Sequence, residues 1–283
     1  MNAPTPTTVA SAWQTAQRAH GLDRLDAQLL LLHALGRPQD RAWLLTHDGD
    51  ALDAAALARF AAAAARRAAG EPLAYIVGEK EFFGLVLQVD RRVLVPRPDT
   101  ETLVEWSLAV LAGRTTPRAI DLGTGSGAIA LALRAQRPDA QLHALDASAD
   151  ALAVARANAE RLALPVTFWQ GHWLASHPQD AGYDLIVSNP PYIAQDDHHL
   201  PALAFEPPGA LTAGPDGLDD IRLIVQQAPA YLRPGGWLLF EHGHDQAPAV
   251  RALLAQAGFS LVQSRRDLAG IERCSGGVRS IAG

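Results

Sequence analysis

With 283 residues, 48% of them hydrophobic and 19% charged, the chain can bury one large core and a smaller second one. A net charge of −6 argues against a polynucleotide as the main partner, because a duplex binder ordinarily carries a basic face. The single cysteine, Cys274, excludes an internal disulfide and a thiolate metal cluster, and no metal is expected.

The N-terminal Met1-Asn2-Ala3-Pro4-Thr5-Pro6-Thr7 has neither the basic nor the apolar stretch of a secretion signal. No apolar run approaches the ~18 residues of a membrane span, so a cytoplasmic protein without a membrane partner is expected. Residues 1–72 read as a helical bundle. Asp23 caps a helix carrying Leu25, Leu29, Leu32 and Leu35, which Gly36 ends. Pro38 opens a short helix with Trp43 and Leu44. Asp53 caps an alanine-rich helix that Gly70 and Pro72 stop, and Leu52, Leu57 and Phe60 are spaced for packing helix on helix. Composition alone fits a packing module as well as a binding surface.

Residues 73–97 change period. Tyr75-Ile76-Val77-Gly78 and Phe82-Phe83-Gly84-Leu85-Val86-Leu87 predict a hairpin linker. Val95-Pro96-Arg97-Pro98-Asp99-Thr100-Glu101 is a rigid elbow in which Asp99 or Thr100 caps the next helix. From Arg118 onward, within residues 98–283, strands and helices alternate. Strands are expected over residues 119–122, 142–146, 166–170, 183–188, 237–241, 259–264 and 277–281. Helices are expected from Ala128 to Gln136, from the Ser148 cap to Leu162, from Leu218 to Leu232, and before Gly258. Such alternation specifies an α/β fold with a doubly wound, Rossmann-like sheet. The histidines show no HExxH spacing; His198-His199 and His242-Gly243-His244 read as solvated loop residues.

Two motifs carry the chemistry. Gly123-Thr124-Gly125-Ser126-Gly127 follows the first strand and opens a helix, where glycines let the backbone approach a ligand closely. Asp146 ends the second strand, where a carboxylate accepts from ribose hydroxyls. That pair indicates a nucleoside cofactor without saying which, and the absence of GK[ST] excludes a Walker loop. The second motif is Asn189-Pro190-Pro191-Tyr192, at the end of the apolar strand Leu185-Ile186-Val187. Neither proline can continue a ladder, and Asn189 is held extended by the proline after it. The Asn189 carboxamide oxygen and the Pro190 carbonyl are two neighbouring acceptors, and Tyr192 adds a flat face. Together they seat a planar group bearing an NH2. A glycine turn after strand one, an acid after strand two and this tetrapeptide after strand four describe an S-adenosylmethionine site.

These stretches, with Glu71-Pro72-Leu73-Ala74-Tyr75-Ile76-Val77-Gly78, Glu81-Phe82-Phe83-Gly84, the Arg97-Pro98-Asp99-Thr100-Glu101 elbow, Phe205-Glu206-Pro207 and Glu241-His242-Gly243, resemble the HemK/PrmC family of protein-(glutamine-N5) methyltransferases. The resemblance covers nearly the whole chain. It implies a class I S-adenosylmethionine-dependent methyltransferase domain over residues 98–283 and an N-terminal substrate-recognition domain over residues 1–72. It implies that Gly123 to Gly127 wrap the methionine part of the cofactor, Asp146 holds the ribose and Trp173 lies beside the adenine. His172 replaces an aspartate common in the family. Asn189 would touch both cofactor and substrate, with Pro190, Pro191 and Tyr192 completing the substrate seat and Asn189, Pro190 and Tyr192 serving catalysis. Arg97 and Glu206 would shape the pocket. The implied substrate is the glutamine of the Gly-Gly-Gln motif in peptide chain release factors, modified by a monomer in translation termination, with no direct nucleic-acid substrate. The alternatives are a ribosomal protein glutamine and, for an amino-methylating enzyme, DNA adenine.

Overall fold

Thr8 and Ser11 cap the first helix reciprocally, each side chain bound to the other's backbone N–H. A computed structural model describes residues 7–37, 40–175, 177–178 and 182–280; the expected roles of Met1 to Pro6, Pro38 and Ile281 lie outside them. Two units, Met1–Glu79 and Lys80–Gly283, are each held by their own contacts.

The first unit contains α1 (Val9–His20), α2 (Arg24–Ala34), α3 (Trp43–Thr46), α4 (Ala54–Ala68) and α5 (Leu73–Val77). Asp23 caps α2 through the Leu25 N–H at 2.6 Å and Asp53 caps α4 through Ala56, each worth about 1 kcal/mol. Leu30, Leu31 and Leu32 of α2 pack with Phe60, Ala63 and Ala64 of α4; the alanines let the two helices approach closely. Arg67 pairs with Asp26 at 2.6 Å across the same helices. One expectation fails here: Leu73–Val77 is a helix and not the first strand of a hairpin. A short apolar run does not distinguish the two. Pro72 at its start and left-handed Gly78 (φ 82) at its end are helix brackets. The hairpin forms one step later, from β1 (Glu79–Phe82) and β2 (Leu85–Gln88).

The second unit is built on a seven-stranded sheet ordered β5-β4-β3-β6-β7-β9-β8. Its strands are β3 (Arg118–Leu122), β4 (Gln141–Asp146), β5 (Thr167–Gln170), β6 (Tyr183–Ser188), β7 (Leu232–Glu241), β8 (Phe259–Arg266) and β9 (Glu272–Arg279). The helices are α6 (Glu101–Leu111), α7 (Ala128–Gln136), α8 (Ala149–Arg161), α9 (Asp219–Gln227) and α10 (Ala247–Gln256). From β5 to β7 every pairing is parallel, whereas β9 runs antiparallel to both its neighbours. All six residues of β6 are buried, as a central strand covered on both faces requires. The strand order reverses between β3 and β6, and open α/β sheets bind ligands beyond the strand ends at such a switch point.

Several boundaries differ from expectation. The helix after Leu218 stops at Gln227 because Pro229 turns the chain into a short 3₁₀ segment, Ala228–Ala230, and β7 begins at Leu232. β9 begins at Glu272, where antiparallel pairing sets it opposite Arg266 at the end of β8. Thr100 and Asp99 do not cap α6 with their side chains; a 3₁₀ turn, Pro98–Thr100, leads into it. His242 is buried and not a solvated loop residue. Its Nδ1–H donates to the Gly243 carbonyl and its Nε2 meets the Ser275 hydroxyl at 2.7 Å.

Candidate functional site

Leu122 pairs with Ser188 across β3 and β6, and the Ser188 hydroxyl donates to the Leu122 carbonyl at 2.7 Å. The next residues, Gly123 and Asn189, therefore leave the sheet side by side. Gly123 (φ 71), Gly125 (φ 55) and Gly127 (φ 85) are all left-handed, which glycine adopts without steric cost. The Gly123 and Thr124 N–H groups donate to the Leu145 carbonyl on β4, which closes the turn. Beneath it, Asp121 is fully buried; its Oδ2 accepts from the Thr124 hydroxyl at 2.6 Å and its Oδ1 has no partner among the described residues. Burial pushes the Asp121 carboxyl up to about 7, against the pull of the Thr124 and Ala130 hydrogen bonds.

A cleft of about 510 Å³ opens over these strand ends. Gly123, Gly125, Asp146, Trp173, Asn189 and Pro191 line it. Asp146 Oδ2 accepts from the Gly125 N–H and Oδ1 from the Ser148 N–H, both at 2.9 Å, which leaves each oxygen a second lone pair. Burial holds its carboxyl above the ordinary range, partly offset by those bonds. The Trp173 ring packs against Gly123, where an added Cβ would meet it at 3.3 Å. Its Nε1–H donates to Asp220 Oδ1 at 2.9 Å. Thr124, Ser126 and Gly127 are not among the lining residues: Thr124 spends its hydroxyl on Asp121, Ser126 gives its carbonyl to Asn158, and Gly127 is the N-cap of α7.

A second cavity, about 280 Å³, adjoins the first. Arg97, Pro190, Tyr192 and Leu203 line it, and Leu94, Asn189 and Ala210 belong to both cavities. Arg97 is paired with buried Glu206, whose Oε2 also accepts the Val95 N–H at 3.1 Å. The Tyr192 carbonyl accepts from Gln246 Nε2 at 2.9 Å. Burial first, and the nearby Glu241 charge second, push the Tyr192 phenol well above its ordinary value, so it stays neutral.

The site also uses residues to which the sequence reading gave no role. Asp220, in the first turn of α9, lines the cleft beside His172 and Trp173. No local sequence signal marks it. Thr100 Oγ1 accepts from Asn189 Nδ2 at 3.2 Å. Glu241 ends β7, the strand beside β6, and the rule that picked out Asp146, an acid at a parallel strand's end, also picks out Glu241. Asp197, His198 and His199 bring their ligand atoms within 4.8 Å of one another, but His199 Nδ1 already contacts Asp197 Oδ1 at 2.8 Å and both histidines are exposed.

Among the described residues, no helix is long and apolar enough to cross a membrane. The PrmC N-terminal domain model matches residues 11–78, and the Methyltransferase small domain model matches residues 100–205. A release factor glutamine methyltransferase of Bordetella pertussis is 54% identical over 259 residues, covering 91% of this chain and 95% of the relative. Its counterpart in Burkholderia pseudomallei is 51% identical over 282 residues and covers 97% of each. Among solved structures, a methyltransferase from Pyrococcus furiosus has a TM-score of 0.55 at 19% identity, covering 70% of this chain and 91% of that one. A T. thermophilus 16S rRNA methyltransferase in complex with AdoMet and guanosine has a TM-score of 0.54 at 20% identity, covering 71% and 49%. These two likenesses concern the fold alone.

Proposed function

The chain belongs to the release factor glutamine methyltransferase family, and on that premise we propose that it methylates the side-chain amide nitrogen of the Gly-Gly-Gln glutamine in peptide chain release factors. S-adenosylmethionine is the cofactor, and it supplies an electrophilic methyl group when bound. The residues present fit it. Left-handed glycines leave the cleft floor bare, Asp146 keeps lone pairs for ribose hydroxyls, and the buried Asp121 carboxyl suits a cationic ligand. Trp173, His172 and Asp220 would hold the adenine end.

The observation that carries the proposal is the position of Asn189, which lines both the cofactor cleft and the adjoining pocket. A carboxamide nitrogen is a poor nucleophile because its lone pair is delocalised. Asn189 Oδ1 and the Pro190 carbonyl would accept its two N–H bonds while Tyr192 packs on the amide plane. That seat fixes the nitrogen in an attacking orientation and favours the charge that develops on it. No strong base is needed first, because the nitrogen becomes acidic only as it gains the methyl. The helical unit, Met1–Glu79, is the part we assign to gripping the rest of the acceptor.

The test is an incubation with labelled cofactor and three acceptors: a release factor, a ribosomal protein and DNA. Mass mapping should place the label on the release factor glutamine. Label confined to the ribosomal protein or to DNA would overturn the proposal.

A further inference from the structure

Asn189 is useful only in one of its two orientations. With Oδ1 toward the pocket it accepts from an NH2 group; turned by half a rotation it presents two donors to that NH2 and repels it. Shape does not choose between the two orientations, because carboxamide oxygen and nitrogen are nearly the same size. Something behind the carboxamide must choose, and two groups there can. Thr100, 4% exposed, meets Asn189 Nδ2 at 3.2 Å. Glu241, 1% exposed at the end of the neighbouring strand, lies close enough to Thr100 and Asn189 for both to favour its ionised form. Its Oε2 has no hydrogen-bond partner among the described residues, an expensive state for a buried acceptor.

We propose that Glu241 and Thr100 are positioning residues that turn the Asn189 carboxamide with Nδ2 inward and Oδ1 toward the acceptor, Glu241 acting as the carboxylate. A carboxylate only accepts hydrogen bonds, so it tolerates the Asn189 N–H group and repels its oxygen. A neutral carboxyl has an O–H that donates to the Asn189 oxygen and so holds the amide in the flipped, unproductive orientation. This deepens the proposed function and rests on it.

Burial pushes the Glu241 carboxyl up to about 7, against the pull of Thr100, Arg273 and Asn189. The groups facing it are Arg273 and Cys274 on β9, Asp99 in the turn before α6, and Tyr192 after β6. Burial raises Tyr192 and Cys274 far above neutrality and lowers the adjacent His242 below its ordinary value. Turnover should therefore rise with pH as Glu241 ionises.

The experiment combines single-turnover methylation of a release factor with NMR of the Asn189 side-chain NH2 in the free protein. For the wild type, kcat should fall about tenfold from pH 8 to pH 6 with little change in KM, and the NH2 resonances should titrate over the same range. Glu241→Gln, which can still accept from Asn189 but does not titrate, should vary less than about twofold and show fixed NH2 resonances. Thr100→Val should lose about tenfold in kcat and Thr100→Ser should restore it. NH2 resonances that ignore pH in the wild type, or a Glu241→Gln profile superimposable on it, would sink the positioning role. A wild type that titrates by NMR yet never methylates the release factor would instead remove the functional proposal and the catalytic half of this one.

Discussion

At the scale of single residues, the candidate site is made of groups that have spent part of their hydrogen-bonding capacity on the fold and keep part facing the cleft. Asp146 holds the Gly125 and Ser148 N–H groups and still lines the cleft. Asp146→Ala should weaken S-adenosylhomocysteine by about 1.5–3 kcal/mol, the worth of hydrogen bonds to a charged group, as read by titration calorimetry. Unchanged affinity would contradict the ribose role. Asp146 and Asn189 were legible in the sequence because each ends a strand whose apolar run is unmistakable, and a parallel sheet places such ends together. Asp220 was not legible. It reaches the cleft from the start of α9, and only tertiary packing brings it to Trp173.

At the scale of elements, the Asn189-Pro190-Pro191-Tyr192 loop depends on how closely a distant segment approaches it. Gly217 (φ 73) lies so near that an added Cβ would stand 2.1 Å from the Tyr192 carbonyl oxygen, the atom that Gln246 also holds. Gly235 is equally left-handed (φ 76) but open, with nothing within 4 Å. Both Gly→Ala changes should cost about 1–3 kcal/mol through backbone strain, and Gly217→Ala more because of the clash, seen in urea midpoints. Only Gly217→Ala should also cut kcat, because only it displaces the loop. Equal activity in the two variants would show that the loop does not need this clamp. Strand and helix alternation from Arg118 onward was readable from period alone. The α5 helix and the early start of β9 were not: α5 is too short for its period to show, and pairing with β8 sets the length of β9.

Across the whole molecule, two buried carboxyls oppose the fold as pH rises. Asp121 and Glu241 are both held up to about 7 by burial, whereas the unfolded chain releases those protons near the ordinary 3.8 and 4.5. Between these values the folded state binds more protons, so stability is lost as pH rises toward 7. Half-buried His143 and buried His242 have lowered values and act in the opposite sense below 6.5. The variant Asp121→Asn isolates the carboxyl from them. Its urea midpoint relative to wild type should improve from pH 5 to pH 8; a difference independent of pH would mean that Asp121 ionises as easily in the fold as in water. A bound cationic cofactor should narrow the gap at pH 8, because it favours the ionised carboxyl.

That the Asn189 carboxamide orients the acceptor nitrogen chiefly as it attacks is tested most directly by single-turnover methylation of a release factor by Asn189→Ala. Loss of one preorganised hydrogen-bonding group at a reacting centre should lower kcat by about 10²–10³, with a smaller effect on acceptor binding because the interaction belongs mainly to the transition state. A rate within about threefold of wild type, far short of that loss, would contradict it.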